Sequence, residues 1–75
     1  MISRRQFEIL SILANSTLPV SIETIAQKLR KSERTIRYDL QDLRNSLRPM
    51  QWSIKTASKS GLYIPAHIKS QVMEF

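Results

Sequence analysis

Two residues, Arg30 and Lys31, are all that separates one helical pattern from the next in this chain. Before them, Ile22, Ile25, Ala26 and Leu29 recur at the three- and four-residue spacing of a single buried helix face. After them, Ser32 stands where a helix N-cap is needed, and Ile36, Leu40, Leu43 and Leu47 repeat at i, i+4, i+7 and i+11. The gap has room for a tight turn and nothing longer. A chain of 75 residues is short enough to bury only about 60% of the surface its unfolded form exposes, and it has no cysteine for a disulfide or thiolate metal site. Stability must come from one compact apolar core that both stripes share.

The preceding segments supply more of that core. Ser3-Arg4-Arg5-Gln6 matches a capping box, in which the Ser and Gln side chains each satisfy a free backbone N–H. A first helix follows, with Phe7, Leu10, Leu13 and Ala14 on its buried face and Ile9 and Ile12 widening it; Asn15-Ser16-Thr17 ends it. Pro19 disfavours the helical region for Leu18, so Leu18-Pro19-Val20 is expected to be extended. Ser21 then caps the second helix. Glu23 lies in its first turn, where a negative charge suits the dipole, and Val20 and Ile25 are placed as a hydrophobic staple. Pro49 cannot continue the third helix, which is expected over about residues 33–47.

Beyond Pro49 the period changes. Trp52, Ile54 and Thr56 alternate with Ser53, Lys55 and Ala57, the two-residue period of a strand. Ser58-Lys59-Ser60-Gly61 reads as a turn holding the only glycine, and Leu62-Tyr63-Ile64 as the returning strand. A hairpin this small cannot stand alone and must rest on the helices. Pro65 can open a short terminal helix carrying Ile68, Val72 and Phe75. The expected fold class is α+β, mainly α: a three-helix core, a two-stranded β-hairpin and a short C-terminal helix. One domain is expected over residues 1–65, with residues 66–75 an extension or the start of a linker to a further domain.

Charge points to a partner. The net charge is +6, and clustered Lys and Arg bind polyanions by replacing the counterions around phosphates. Lys28, Arg30, Lys31, Arg34 and Arg37 fall in one short run that holds a single acid, Glu33. At 100° per residue, Ile36, Leu40, Leu43 and Leu47 cluster within about 60°, and Arg34, Tyr38, Gln41 and Asn45 fall on the opposite side, with Arg37 on one flank and Thr35 and Asp42 on the other. Groove readout of double-stranded DNA needs such groups: Arg forks onto guanine and Gln onto adenine, each good pair discriminating by about 1–3 kcal/mol. The first turn of the helix, with Ser32 and Thr35, suits a phosphate. The candidate DNA-binding residues are Ser21, Lys31, Ser32, Arg34, Thr35, Arg37, Tyr38 and Gln41, with Lys59, alongside Lys55, on the hairpin. The plainer alternatives are a solvated helix face and a hairpin that only closes the core.

The segment Leu29 to Leu40, Leu-Arg-Lys-Ser-Glu-Arg-Thr-Ile-Arg-Tyr-Asp-Leu, resembles the recognition segment of bacterial winged-helix transcription regulators. Nearest are the N-terminal domains of regulators with PTS-regulation domains, controlled by the sugar phosphotransferase system; DeoR-type and biotin-repressor-type winged helices are similar. Ser60-Gly61-Leu62-Tyr63-Ile64 resembles the end of their wing. The resemblance covers residues 1 to about 65. It implies that Ser32, Arg34, Thr35, Arg37 and Tyr38 face DNA, the two arginines on bases or backbone and the hydroxyls on phosphates. It also implies a dimer formed through regions outside this chain. Two positions depart from the family pattern. Arg30 stands where Gly or Asn is common; if left-handed there, it costs roughly 1–2 kcal/mol. Ser60 replaces one of two wing glycines.

Other functions find little support. His67 is the only histidine, so no zinc site is expected, and no cofactor is implied. Trp52 and Phe7 are expected in the core, Met50 and Met73 as gap-fillers, and Asp39 and Asp42 paired with arginines rather than as a catalytic pair. No Gly-rich phosphate loop or nucleophile–base arrangement indicates an enzyme. There is no signal-peptide pattern and no run of about 18 apolar residues, so a cytoplasmic protein is expected. Two rival readings are a winged helix that binds protein and, less favoured, an RNA reader, which would need exposed aromatics on a sheet; Tyr63 is the one candidate.

Overall fold

Local hydrogen bonds start each of the first three helices where the side chains allow. The computed structural model of the chain describes residues 2–57 and 61–74. Helix α1 spans Arg4–Ala14: Ser3 Oγ accepts from the Gln6 N–H, and Gln6 Oε1 accepts from the Ser3 N–H at 3.1 Å, completing the capping box. Helix α2 (Ile22–Leu29) is capped by Ser21 and helix α3 (Glu33–Leu47) by Ser32, each hydroxyl accepting from the N–H three residues on. After α3 a 3₁₀ turn covers Arg48–Met50, with Pro49 inside it, so the long helix ends where proline requires.

The turn between α2 and α3 is a Schellman motif. The Lys31 N–H donates to the Ala26 carbonyl at 3.0 Å and the Arg30 N–H to the Gln27 carbonyl at 3.3 Å, with Arg30 left-handed at φ 56° and ψ 44°. The turn therefore keeps the geometry that glycine would adopt without strain, and an exposed arginine occupies it. Replacing Arg30 with glycine is expected to stabilise the domain by about 1 kcal/mol, raising Tm by about 4–8 °C. A thermal melt checks this; an unchanged or lower Tm would mean that contacts of the Arg30 side chain offset the strain.

Among the described residues the sheet has three strands rather than the two expected. β1 (Val20–Ser21), β2 (Lys55–Thr56) and β3 (Gly61–Tyr63) run antiparallel in the order β1-β3-β2, pairing Val20 with Leu62, Ser21 with Gly61, Lys55 with Tyr63 and Thr56 with Leu62. The extended stretch forced by Pro19 adds to the open edge of the hairpin and so ties it to the start of α2. Gly61 also departs from expectation. It lies in β3 with no positive φ, and a Cβ on it would stand 2.7 Å from the Cβ of Pro19. Glycine is needed there because β1 and β3 approach closely over a rigid proline ring, not because the chain turns. The strand expected over residues 52–57 shortens to Lys55–Thr56, and Thr56, expected in phase with Ile54, is exposed. The turn residues Ser58, Lys59 and Ser60 lie outside the described residues, as does Phe75.

Helix α4 (Ala66–Glu74) packs mainly against α1. Pro65 sits just before it, its carbonyl accepting from the Ile68 and Lys69 N–H groups, and Lys69 Nζ donates to the Ser16 carbonyl at 2.7 Å, beyond the end of α1. Ile68 and Val72 are buried in the same core as Ile9, Leu10, Leu13, Ile25, Ile36, Leu43 and Leu47, so the packed unit continues through Val72. Trp52 is half-buried against this core and donates from Nε1 to Gln71 Oε1 at 2.5 Å, joining the hairpin side to α4.

Phe7 does not take its expected place in the core. It is 37% exposed, whereas Gln6 and Ile9 are buried beside Leu10 and Leu13. The inward face of α1 runs through residues 6, 9, 10 and 13, because this helix is covered by the α2–α3 pair and by α4. Phe7 falls at its margin, lining an apolar groove with Ile2, Pro49 and Met50. The architecture is a winged helix-turn-helix: a helical core with a small antiparallel sheet.

Candidate nucleic-acid interface

Burial sets the roll of α3. Ile36, Leu40, Leu43 and Leu47 are all sunk into the core, which turns the opposite side of the helix outward. A second restraint comes from Asp39, which lies on the flank of the leucine stripe and is buried. Its two carboxylate oxygens accept from Nε and Nη2 of Arg5 on α1, the latter at 3.0 Å. This side-chain hydrogen bond raises the Arg5 pKa, burial acts the other way, and the Asp39 charge adds to the rise. Asp39 thus pairs with an arginine, but one 34 residues away on another helix rather than on its own. The fork holds α3 against α1 on the side away from its arginine row.

The outward face carries the expected groups. Arg34, Arg37, Tyr38 and Gln41 are exposed and line one shallow surface hollow of about 250 Å³. The Arg34 guanidinium sits over the Tyr38 ring, 5.8 Å from its centroid, and Arg37 Nη2 lies 3.6 Å from Glu33 Oε1 one turn back. Both are solvent-exposed contacts, weak enough for a phosphate or base edge to displace. Lys31 is exposed in the turn. Ser32 and Thr35 differ from the expectation of two available hydroxyls: Ser32 Oγ accepts from the Thr35 N–H and donates to Thr35 Oγ1 at 3.0 Å, so its proton is already engaged. Ser21 is likewise bonded to Thr24 and half-buried at the α2 cap. Lys59 lies outside the described residues; Lys55 on β2 is exposed.

Two functional candidates were missed. Arg44 and Arg48 join Arg37, Gln41 and Asn45 in lining a groove of about 560 Å³ between α3 and the sheet, which Thr56, Leu62, Ile22 and Leu40 also line. The signal was in the sequence. Positions 37, 41, 44 and 48 repeat the i, i+4, i+7, i+11 spacing of the leucine stripe, one residue further on and so rotated by about 100°. What the spacing could not reveal is that β2 and β3 stand beside that row and make it the wall of a cleft.

A family model described as HTH domain matches residues 5–61. The chain belongs to this helix-turn-helix domain family. The match takes in α1, the whole α2–turn–α3 unit and the sheet as far as Gly61. No curated protein and no solved structure matches the chain. Membership of the HTH family points to DNA binding and a non-enzymatic role, in keeping with an exposed basic face on the second helix of the motif. Among the described residues no group of three or more His, Cys, Asp or Glu could hold a metal ion, and no helix of the HTH domain is long and apolar enough to cross a membrane.

Proposed function

We propose that this HTH domain binds double-stranded DNA sequence-specifically as part of a bacterial transcription regulator of the kind with PTS-regulation domains, acting in the cytoplasm. The N-terminal half of α3 enters the major groove, where Arg34, Arg37 and Gln41 address base edges and Tyr38 a phosphate or a thymine methyl. Lys31, Thr35 and the N–H groups at the α3 start face the adjoining backbone, with Ser32 holding the geometry of that turn. Ser21 is read as a backbone contact at the α2 start, and Lys59, outside the described residues, as a further phosphate contact. The observation that carries this reading is the exposed surface shared by Arg34, Arg37, Tyr38 and Gln41 on a helix whose roll is fixed by burial on one side and the Arg5–Asp39 fork on another. The regulator is expected to dimerise through regions outside this chain and to recognise a palindromic operator.

The test is selection of bound sequences from a random duplex pool, followed by a salt titration on the selected duplex. A consensus should emerge. Binding that neutralises about five phosphates predicts a log–log slope of about −4.5 or steeper. Absence of binding to any duplex at low salt would instead favour the protein-binding role, and preferential binding of a hairpin RNA in competition would favour an RNA partner.

A further inference from the structure

A helix as long as α3 cannot use its whole length inside one groove. Arg34 to Gln41 covers roughly 10 Å of helix axis, which fits a major groove about 12 Å wide. Arg44 and Arg48 lie roughly 15 and 21 Å from Arg34 along the same axis. With the N-terminal half against the bases, this second half stands over the groove wall. Resting on the DNA-binding reading, we infer that Arg44 and Arg48, together with Thr56 on β2, form a channel for the sugar-phosphate backbone bordering the groove that α3 enters.

Three observations converge on these residues. Arg37, Gln41 and Arg44 form a row on one flank of α3 that Arg48, the first residue of the 3₁₀ turn after it, continues, and that row lines the cleft facing the sheet. Among the described residues no acid lines the cleft. Among the described residues no carboxylate pairs with Arg44 or Arg48, whereas Arg4, Arg5 and Arg37 each have one. A helix C-terminus favours cations on any face through its dipole. That preference does not explain why both arginines extend one row into one cleft, or why an exposed threonine of β2 lines the same cleft.

Such a channel carries no base information, and its loss should read as charge alone. With two added phosphate contacts, the wild-type slope becomes about −6.3, and Arg44→Ala/Arg48→Ala should reduce its steepness by about 1.8. Affinity at about 0.15 M salt should fall roughly 10- to 50-fold on selected and unrelated duplexes alike, with the consensus unchanged. Arg44→Lys/Arg48→Lys should keep the slope. Both arginines are exposed, so circular dichroism should show the same folded spectrum and a cooperative melt, with Tm lowered by no more than the loss of two cations at a helix C-terminus allows. The measurement is fluorescence anisotropy of a labelled duplex across a salt series, using the full chain. An unchanged slope in the alanine pair, or a loss confined to the selected sequence, overturns the backbone channel alone. A wild type that binds no duplex overturns the DNA-binding reading and this inference with it.

Discussion

Replacing Arg34 and Arg37 together with alanine is expected to abolish operator binding while the domain stays folded. Each guanidinium that forks onto a guanine contributes about 1–3 kcal/mol of discrimination. Losing both therefore weakens binding roughly 30-fold at the low end and more than 10⁴-fold at the high end. The fold should not notice. Both side chains are exposed, and what they lose is a surface ion pair to Glu33 and a cation–π contact to Tyr38, each worth about 1 kcal/mol or less. A mobility shift paired with a thermal melt separates the two quantities. A shift unchanged by the double substitution would remove these arginines from the site.

The opposite pattern is expected of Leu43→Ala. Leu43 is 0% exposed at the middle of α3, and truncating a buried leucine costs about 2–5 kcal/mol, because the removed atoms lose their transfer energy and a cavity remains. A domain below about 70–80 residues rarely holds more than about 3–5 kcal/mol in its core. The variant should lose at least about 10 °C in Tm, or show no cooperative transition. DNA binding should fail in step with the melt, since an unfolded α3 presents no row of arginines. Leu43→Met, nearly equal in volume, should cost less than about 1.5 kcal/mol and keep both folding and binding. A Leu43→Ala protein that melts like the wild type would show that the leucine stripe does not set the position of α3.

The contrast between these two substitutions follows the way the site is built. The leucine row and the arginine row are the same repeat displaced by one residue, so one helix carries the core on one side and the cleft wall on its flank. Arg30 shows the same economy of means in the turn. A left-handed conformation that costs stability is retained with a cation in it, beside Lys31 at the start of the basic segment.

Much of this was legible in the linear chain because its causes are local. A serine caps a helix by reaching N–H groups only three residues ahead, and an apolar stripe at helical spacing has only one face to bury; Ser3, Ser21 and Ser32 and the Ile36–Leu47 row needed nothing further. Proline ended α3 and straightened the stretch before α2 for equally local reasons. Tertiary structure alone decided the rest, since each remaining feature joins residues far apart in the chain. Val20 found its strand partner in Leu62, Asp39 its arginine on α1, and Gly61 its necessity in the ring of Pro19. Phe7 was left at the margin of the core because the neighbours of α1 cover the face that runs through Gln6, Ile9, Leu10 and Leu13, and Arg44 and Arg48 acquired a cleft only when the sheet came to stand beside them. Periodicity tells which side of a helix is apolar; which neighbour arrives to cover each remaining side depends on packing that no single segment encodes.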